Sequence, residues 1–234
     1  MVITIVFDNN PADPSLTTAF GFSCLVEAPG GIILFDTGSD GKVLRDNLGT
    51  LNLHPSNIDS VFLSHYHWDH TGGLGEILRL KPDPTVYLPA SFPGDFIREV
   101  RKSGATVVQV DQGREIGEGL YTTGEMSGRV IEQSLICRSP SGLVVVTGCA
   151  HPGILNILGR AKVIDEHIFL ALGGFHLRSE SPSSLEKTVG EFRTLGVTRV
   201  CPCHCTGDQA RAFFKNAYRD HCILGGVGTR IEIE

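Results

Sequence analysis

The order of elements in this chain predicts an α+β fold: two mixed β-sheets with helices on their outer faces. Three observations carry that prediction. Short apolar strands open both halves of the sequence, hairpin turns come early in each half, and helical segments follow. No repeat, low-complexity block or linker interrupts the 234 residues, so a single domain over residues 1–234 is expected.

The elements read as follows. Val2 to Phe7 alternates as a strand, and Asp8 to Thr18 is a polar, Pro-containing loop. Phe22 to Glu27 and Ile32 to Phe35 are strands around the turn Ala28-Pro29-Gly30-Gly31. Ser39 is placed to cap a helix running to Leu48. Ser60 to Leu63 is a buried strand, Gly73 to Leu80 a helix, Thr85 to Leu88 a strand and Gly94 to Lys102 a helix. A strand-rich middle comprises Thr106 to Val110, Leu120 to Thr123, Val130 to Arg138 and Leu143 to Thr147. Helices over Gly153 to Val163, Ser183 to Leu195 and Gly207 to Ala217 then alternate with strands at Ile168 to Leu172 and Val200, before a last strand at Ile231 to Glu234.

The densest chemical signal is His65-Tyr66-His67-Trp68-Asp69-His70, which follows the apolar run Val61-Phe62-Leu63. Neutral imidazole and carboxylate suit zinc, iron and manganese. The spacing is not that of a helical pair, whose histidines stand four apart. The run reads instead as a loop leaving a buried strand, able to aim alternate side chains at two adjacent metals. The bland alternative is a surface loop with fortuitous histidines. Tyr66 and Trp68 alternate with the candidate ligands and are expected to brace the loop or, failing that, to line the site, and Gly72 and Gly73 to permit a sharp turn after it.

This segment, Asp36-Thr37-Gly38 before it, and later Gly148-Cys149-Ala150-His151-Pro152-Gly153, Gly173-Gly174-Phe175-His176-Leu177 and Cys203-His204-Cys205-Thr206-Gly207 together resemble the metallo-β-lactamase superfamily. Within it the chain looks most like the group named for dihydropterin–ribofuranosylaminobenzene-phosphate synthases of methanopterin biosynthesis. The resemblance implies a four-layer αββα sandwich with metals at one edge, between the sheets. It implies that His65, His67 and His151 hold one metal and Asp69, His70 and His204 a second. Zinc is the expected ion, with iron or manganese the alternatives and one or two ions per chain. Asp36 matches a buried acid that orients ligand imidazoles through hydrogen bonds; otherwise it is a turn-forming Asp. Many superfamily members carry a bridging aspartate after the strand that here ends Ala171-Leu172-Gly173-Gly174, and no carboxylate stands there. His176 is the nearest replacement, either as a ligand or as a substrate contact.

Composition narrows the function. A formal charge of −6 argues against a nucleic-acid surface. No stretch approaches the roughly 18 apolar residues that span a bilayer. The N-terminus lacks a basic leader and cleavage site, so no signal peptide is read and antibiotic hydrolysis is not expected. Seven cysteines show no secreted disulfide framework, so a cytoplasmic location with reduced thiols is expected. Cys201, Cys203 and Cys205 alternate around His204 and read either as small buried residues or as thiols assisting a metal. Cys149 has the same two readings. Glu132-Gln133 faces either substrate or solvent from a strand. Arg178, Lys42 and Arg45 are candidate phosphate contacts, and His54, His167 and His221 are expected to be structural.

A metal-dependent enzyme follows from this set, either a hydrolase of a small, possibly phosphorylated substrate or a pterin-related transferase. A divalent metal lowers the pKa of water from about 15.7 to about 7, and Asp69 would bind metal and orient the nucleophile. Glyoxalase and lactonase activity are disfavoured by the missing aspartate. The competing readings are a redox or metal-sensing protein using the Cys201, Cys203 and Cys205 run, and a scaffold without turnover.

Overall fold

The computed structural model describes residues 1–234. Its first sheet contains β1 (Val2–Asp8), β2 (Phe22–Ala28), β3 (Gly31–Phe35), β4 (Ser60–Phe62), β5 (Thr85–Pro89), β6 (Thr106–Val110) and β13 (Arg230–Glu232), in the order β13-β1-β2-β3-β4-β5-β6. The second contains β7 (Gln112–Gly117), β8 (Leu120–Gly124), β9 (Leu135–Ser139), β10 (Gly142–Thr147), β11 (Ile168–Gly174) and β12 (Arg199–Cys203), in the order β12-β11-β10-β9-β8-β7. Each sheet begins with antiparallel pairs and ends with parallel ones: β3 to β6 in the first, β10 to β12 in the second. Parallel strands place their C-terminal ends on one side, where ligand sites of α/β units form.

Period-two alternation sorts the strand residues into layers. Ile33, Phe35, Val144, Val146, Leu170 and Leu172 point into the core between the sheets. Leu34 and Val61 face a second core with helices α1 (Gly41–Thr50), α3 (Leu74–Leu80) and α4 (Gly94–Lys102). Leu143 and Val145 face a third core with α5 (Ile154–Ala161), α6 (Pro182–Thr194) and α7 (Asp208–Tyr218). Three apolar layers therefore separate four structural ones, the expected αββα sandwich. No helix is long and apolar enough to cross a membrane.

Several local expectations are corrected. Asp40, not Ser39, caps α1, because its carboxylate accepts the N–H groups of Lys42 and Val43 at 2.8 and 3.0 Å. Residues 130–134 are not a strand; only an isolated bridge joins Met126 and Glu132. The strand β7 has no apolar alternation to announce it, since most of its residues are exposed. The histidine run is not wholly loop. Trp68–Thr71 forms a helical turn, α2, closed by N–H bonds from His70 and Thr71 to the His67 carbonyl.

Candidate metal centre

Every candidate ligand lies just after the C-terminal end of a strand. Asp36 follows β3, His65 to His70 follow β4, His151 follows β10, His176 follows β11 and His204 follows β12. The ring centroids of His65, His67 and His151 lie 4.6 to 5.0 Å apart, and those of His70 and His204 5.0 Å apart. His65 and His70 join the two groups at 4.2 Å. Asp69 Oδ2 lies 3.5 Å from His70 Nε2 and 3.4 Å from His204 Nε2.

Hydrogen bonds at the far side of the rings fix which nitrogen faces the centre. Asp36, fully buried, accepts the Ser64 N–H and the Ser64 hydroxyl, each at 2.7 Å, and the His70 Nδ1–H at 2.7 Å. The Ser64 hydroxyl donates to Asp36, so its lone pair accepts from His65 Nδ1 at 2.9 Å. His204 Nδ1 donates to Asn9 Oδ1 at 2.8 Å, while Asn9 Nδ2 donates to the His204 carbonyl at 3.2 Å. Asp8 accepts the His204 N–H at 3.0 Å. The Nε2 atoms of His65, His70 and His204 are thereby turned inward, as in metal sites where the second ring nitrogen is held by an outer partner. His65 Nε2 faces His67 Nδ1 at 3.0 Å. Both ring nitrogens of His151 are buried without any partner, and the buried Nε2 of His204 faces only the Asp69 carboxylate, at 3.4 Å. Buried polar atoms are rarely left so, and a cation is what this set of lone pairs fits.

A second buried carboxylate organises the other wall. Glu132 accepts the N–H groups of Gly148, Cys149 and Ala150 on Oε1 and that of His151 on Oε2, at 2.8 to 3.1 Å. It is neither a substrate-facing residue nor a strand-surface one, being 1% exposed. Burial raises its pKa against the pull of these amides. Backbone strain concentrates in the same region. Asp36, Ala150, His176 and His204 adopt positive φ of 45 to 59° without being glycine, a conformation that persists only where its surroundings impose it.

The electrostatics divide the imidazoles. Burial and the neighbouring rings hold His65 well below its ordinary value, and the same two causes bring His151 down to about 4. Both are neutral lone-pair donors at pH 7. Burial pushes His70 down too, but Asp36 outweighs it and raises the ring to about 9. Burial opposes ionisation of Asp69, yet the hydrogen bond to His204 and the charge of His70 keep it below the usual carboxylate range. The surroundings of His70 thus favour a positive charge at its Nε2.

His176 is exposed, with its ring 4.5 Å from His151. A hydrogen bond with Cys205 raises its pKa. Its donor atom groups with the sulfurs of Cys149 and Cys205. The cysteine run itself is split: Cys201 and Cys203 are buried in the core between the sheets, and only Cys205 reaches the centre. Tyr66 braces the loop against Phe92 and Phe96. Trp68 does not; it is 64% exposed and stacks on Phe20, which sits 5.3 Å from the His204 ring.

Phe20, Asn9 and Arg129 escaped the sequence reading. Arg129 makes no ion pair and lies close enough to contribute to lowering the basicity of His67 and His151. Its loop is pinned at Gly128, where a Cβ would meet the His151 carbonyl oxygen at 2.4 Å. Lys42 and Arg45, in contrast, are spent on surface pairs with Asp46 and Glu76. Arg178 packs its stem on Gly207. A cleft of about 340 Å³ opens beside His151 and His176.

Comparison with known proteins places the chain. The model of the metallo-beta-lactamase superfamily matches residues 16–204. The chain is 27% identical over 250 residues to the 7,8-dihydropterin-6-methyl-4-(beta-D-ribofuranosyl)-aminobenzene-5'-phosphate synthase of Methanocaldococcus jannaschii, spanning 86% of this chain and 85% of that protein. A solved metal-dependent hydrolase of the beta-lactamase superfamily matches with a TM-score of 0.84 and 30% identity, over 100% of this chain and 99% of that one. Human tRNase Z, short form, shares the fold, with a TM-score of 0.61 and 16% identity over 100% of both chains.

Proposed function

This chain belongs to the metallo-beta-lactamase superfamily, and on that premise we propose that it is a metal-dependent enzyme acting on a small anionic substrate. His65, His67 and His151 hold one divalent ion, and Asp69, His70 and His204 a second, with zinc the expected metal. The observation that carries this reading is the set of inward-facing ring nitrogens, above all the buried, unpartnered atoms of His151. A divalent ion held here supplies Lewis acidity toward a carbonyl or phosphoryl oxygen, and a nucleophile at neutral pH.

The chain's own residues supply the rest. Asp36 and Asn9 lock the imidazole tautomers. Asp69 orients the nucleophile through its carboxylate. Arg129 attracts and holds the anionic group of the substrate, and the Phe20–Trp68 pair offers it an apolar wall at the mouth. His176 contacts substrate, with the ring nitrogen not engaged by Cys205 holding a proton for the departing group.

Hydrolysis is the first reading, supported by the full-length likeness to a metal-dependent hydrolase, with a phosphorylated ester the proposed substrate. A synthase joining a reduced pterin to an aminobenzene ribofuranosyl phosphate is the second, supported by the likeness to the Methanocaldococcus jannaschii enzyme. The test is turnover of chromogenic phosphoesters, and of the pterin and aminobenzene pair, by protein stripped with chelator and then reloaded. Activity is expected to return with the metal, and the double variant His67→Ala, His70→Ala to lose metal and turnover together. Undiminished turnover by the stripped protein or by that variant contradicts the reading.

A further inference from the structure

We propose that Cys149 is a ligand common to both halves of this centre, its thiolate bridging the two ions. The inference rests on the metal-dependent reading above and adds a residue to it. The Cys149 sulfur is buried and lies 3.3 Å from His70 Nε2. It belongs to three triads of donor atoms, each with its members within 4.8 Å of one another: one with His65 and His151, one with His70 and His204, and a third toward the rim with His176 and Cys205. The first triad contains His151, whose buried ring nitrogens have no partner, and the second His204, whose buried Nε2 faces only the Asp69 carboxylate. One sulfur thus stands where two ion sites meet. A metal–sulfur bond of about 2.3 Å lets two ions on one sulfur lie up to roughly 4.6 Å apart. The spacing of about 3.5–4 Å found in two-metal sites falls inside that limit.

No carboxylate other than Asp69 is free to take this place. Asp36 spends its oxygens on Ser64 and His70, Glu132 on four backbone amides, and Asp8 on Asn10 and the His204 N–H. The end of β11 is closed as well. A Cβ at Gly174 would lie 2.6 Å from the Cys205 sulfur and 3.3 Å from the Cys149 Cα, so no side chain enters from there. The Cys149 sulfur is aimed by the backbone clamp. Its own N–H is held by Glu132 at 2.9 Å, and the left-handed Ala150 follows. Cys205 is the rival thiol, but it groups with His176 and Cys149 rather than with the four inner histidines. Binding converts the Cys149 thiol to thiolate; the proton leaves to solvent and no electron moves.

The experiment is titration of metal-free protein with cobalt(II), following the thiolate-to-cobalt charge-transfer absorption in the near ultraviolet and cobalt per chain by plasma mass spectrometry. In the wild type and in Cys205→Ser the band is expected to grow through both equivalents. In Cys149→Ser the histidines still take up cobalt, the band is absent, and the second equivalent binds about tenfold or more weakly. X-ray absorption on the wild type alone keeps the test independent of variant folding. A bridge gives one sulfur neighbour per cobalt at two equivalents, and a terminal thiolate gives half of one. Cobalt uptake without the band overturns the proposal and leaves the metal-dependent reading standing. So does a band that saturates at one equivalent, or one lost in Cys205→Ser but kept in Cys149→Ser. Failure of the wild type to take up cobalt at all overturns both.

Discussion

The first sheet sends His65, His67, Asp69 and His70 to the centre from one short segment after β4. The second sends Cys149 and His151, His176, and His204 from the ends of three separate strands. Each wall is organised by one buried carboxylate, and the two work differently. Asp36 binds side chains and thereby sets tautomers. Glu132 binds four consecutive amides and thereby sets a backbone path. A local cluster of candidate ligands needs its rings steered, whereas residues arriving from separate strands need the chain itself held.

That contrast can be broken from either side. The largest effect is expected from Glu132→Ala, which leaves four buried N–H donors without their acceptor. At about 1–3 kcal/mol for each unsatisfied buried group, partly relieved by entering water, the loss is about 4 kcal/mol. At roughly 2–4 °C per kcal/mol for a chain of this size, the metal-free melting temperature falls by about 10 °C. A melt within a degree or two of wild type would contradict the clamp. Asp36→Asn is expected to act on metal rather than on the fold, weakening affinity by about 10–100-fold in competition titrations with a chromophoric chelator. With Asp36 neutralised, burial is opposed only by the weaker pull of Asp69 and Glu132, so in the metal-free variant the His70 pKa falls from about 9. An NMR titration of His70 in Asp36→Asn that still reports about 9 would remove Asp36 as the cause.

Arg129→Ala touches neither carboxylate. It is expected to raise KM for an anionic substrate about tenfold, as loss of a charged hydrogen bond of roughly 1.5 kcal/mol would, with the melting temperature unchanged. An equal fall in kcat alone would place Arg129 elsewhere in the reaction. The smallest effect is on the outer face, where Arg79 and Arg45 depress Glu76 from 4.5 to about 2. A depressed carboxylate stabilises the fold above its unfolded value and ceases to do so as pH falls through its folded one. Glu76→Gln is therefore expected to lower the melting temperature slightly at pH 7, and the difference to vanish by about pH 2.

The same contrast explains what was legible in the sequence. The αββα layers could be read because the strands of both sheets alternate or run apolar, as in Ile33 to Phe35 and Leu143 to Thr147. The strand β7 could not, because its exposed residues carry no pattern. Residues 130–134 looked like strand because they continue into β9, but the Glu132 side chain bonds the 148–151 backbone and that segment leaves the ladder. In the centre, three histidines and an aspartate within six residues announce themselves. His151 and His204 were reached through family resemblance, since single histidines far apart in sequence carry no spacing signal. Asn9, Phe20 and Arg129 leave no local mark, because their relation to the histidines exists only once the loops converge. Cys149 was visible as a cysteine beside a ligand, but its position between two triads is a property of the fold.

The central claim is that these donors hold two metal ions, and metal per chain measures it most directly. Protein purified without added metal or chelator, analysed by plasma mass spectrometry, is expected to carry about two equivalents of a divalent metal, zinc before iron or manganese. About one equivalent or less, unchanged after reconstitution with each of those metals, would contradict the account.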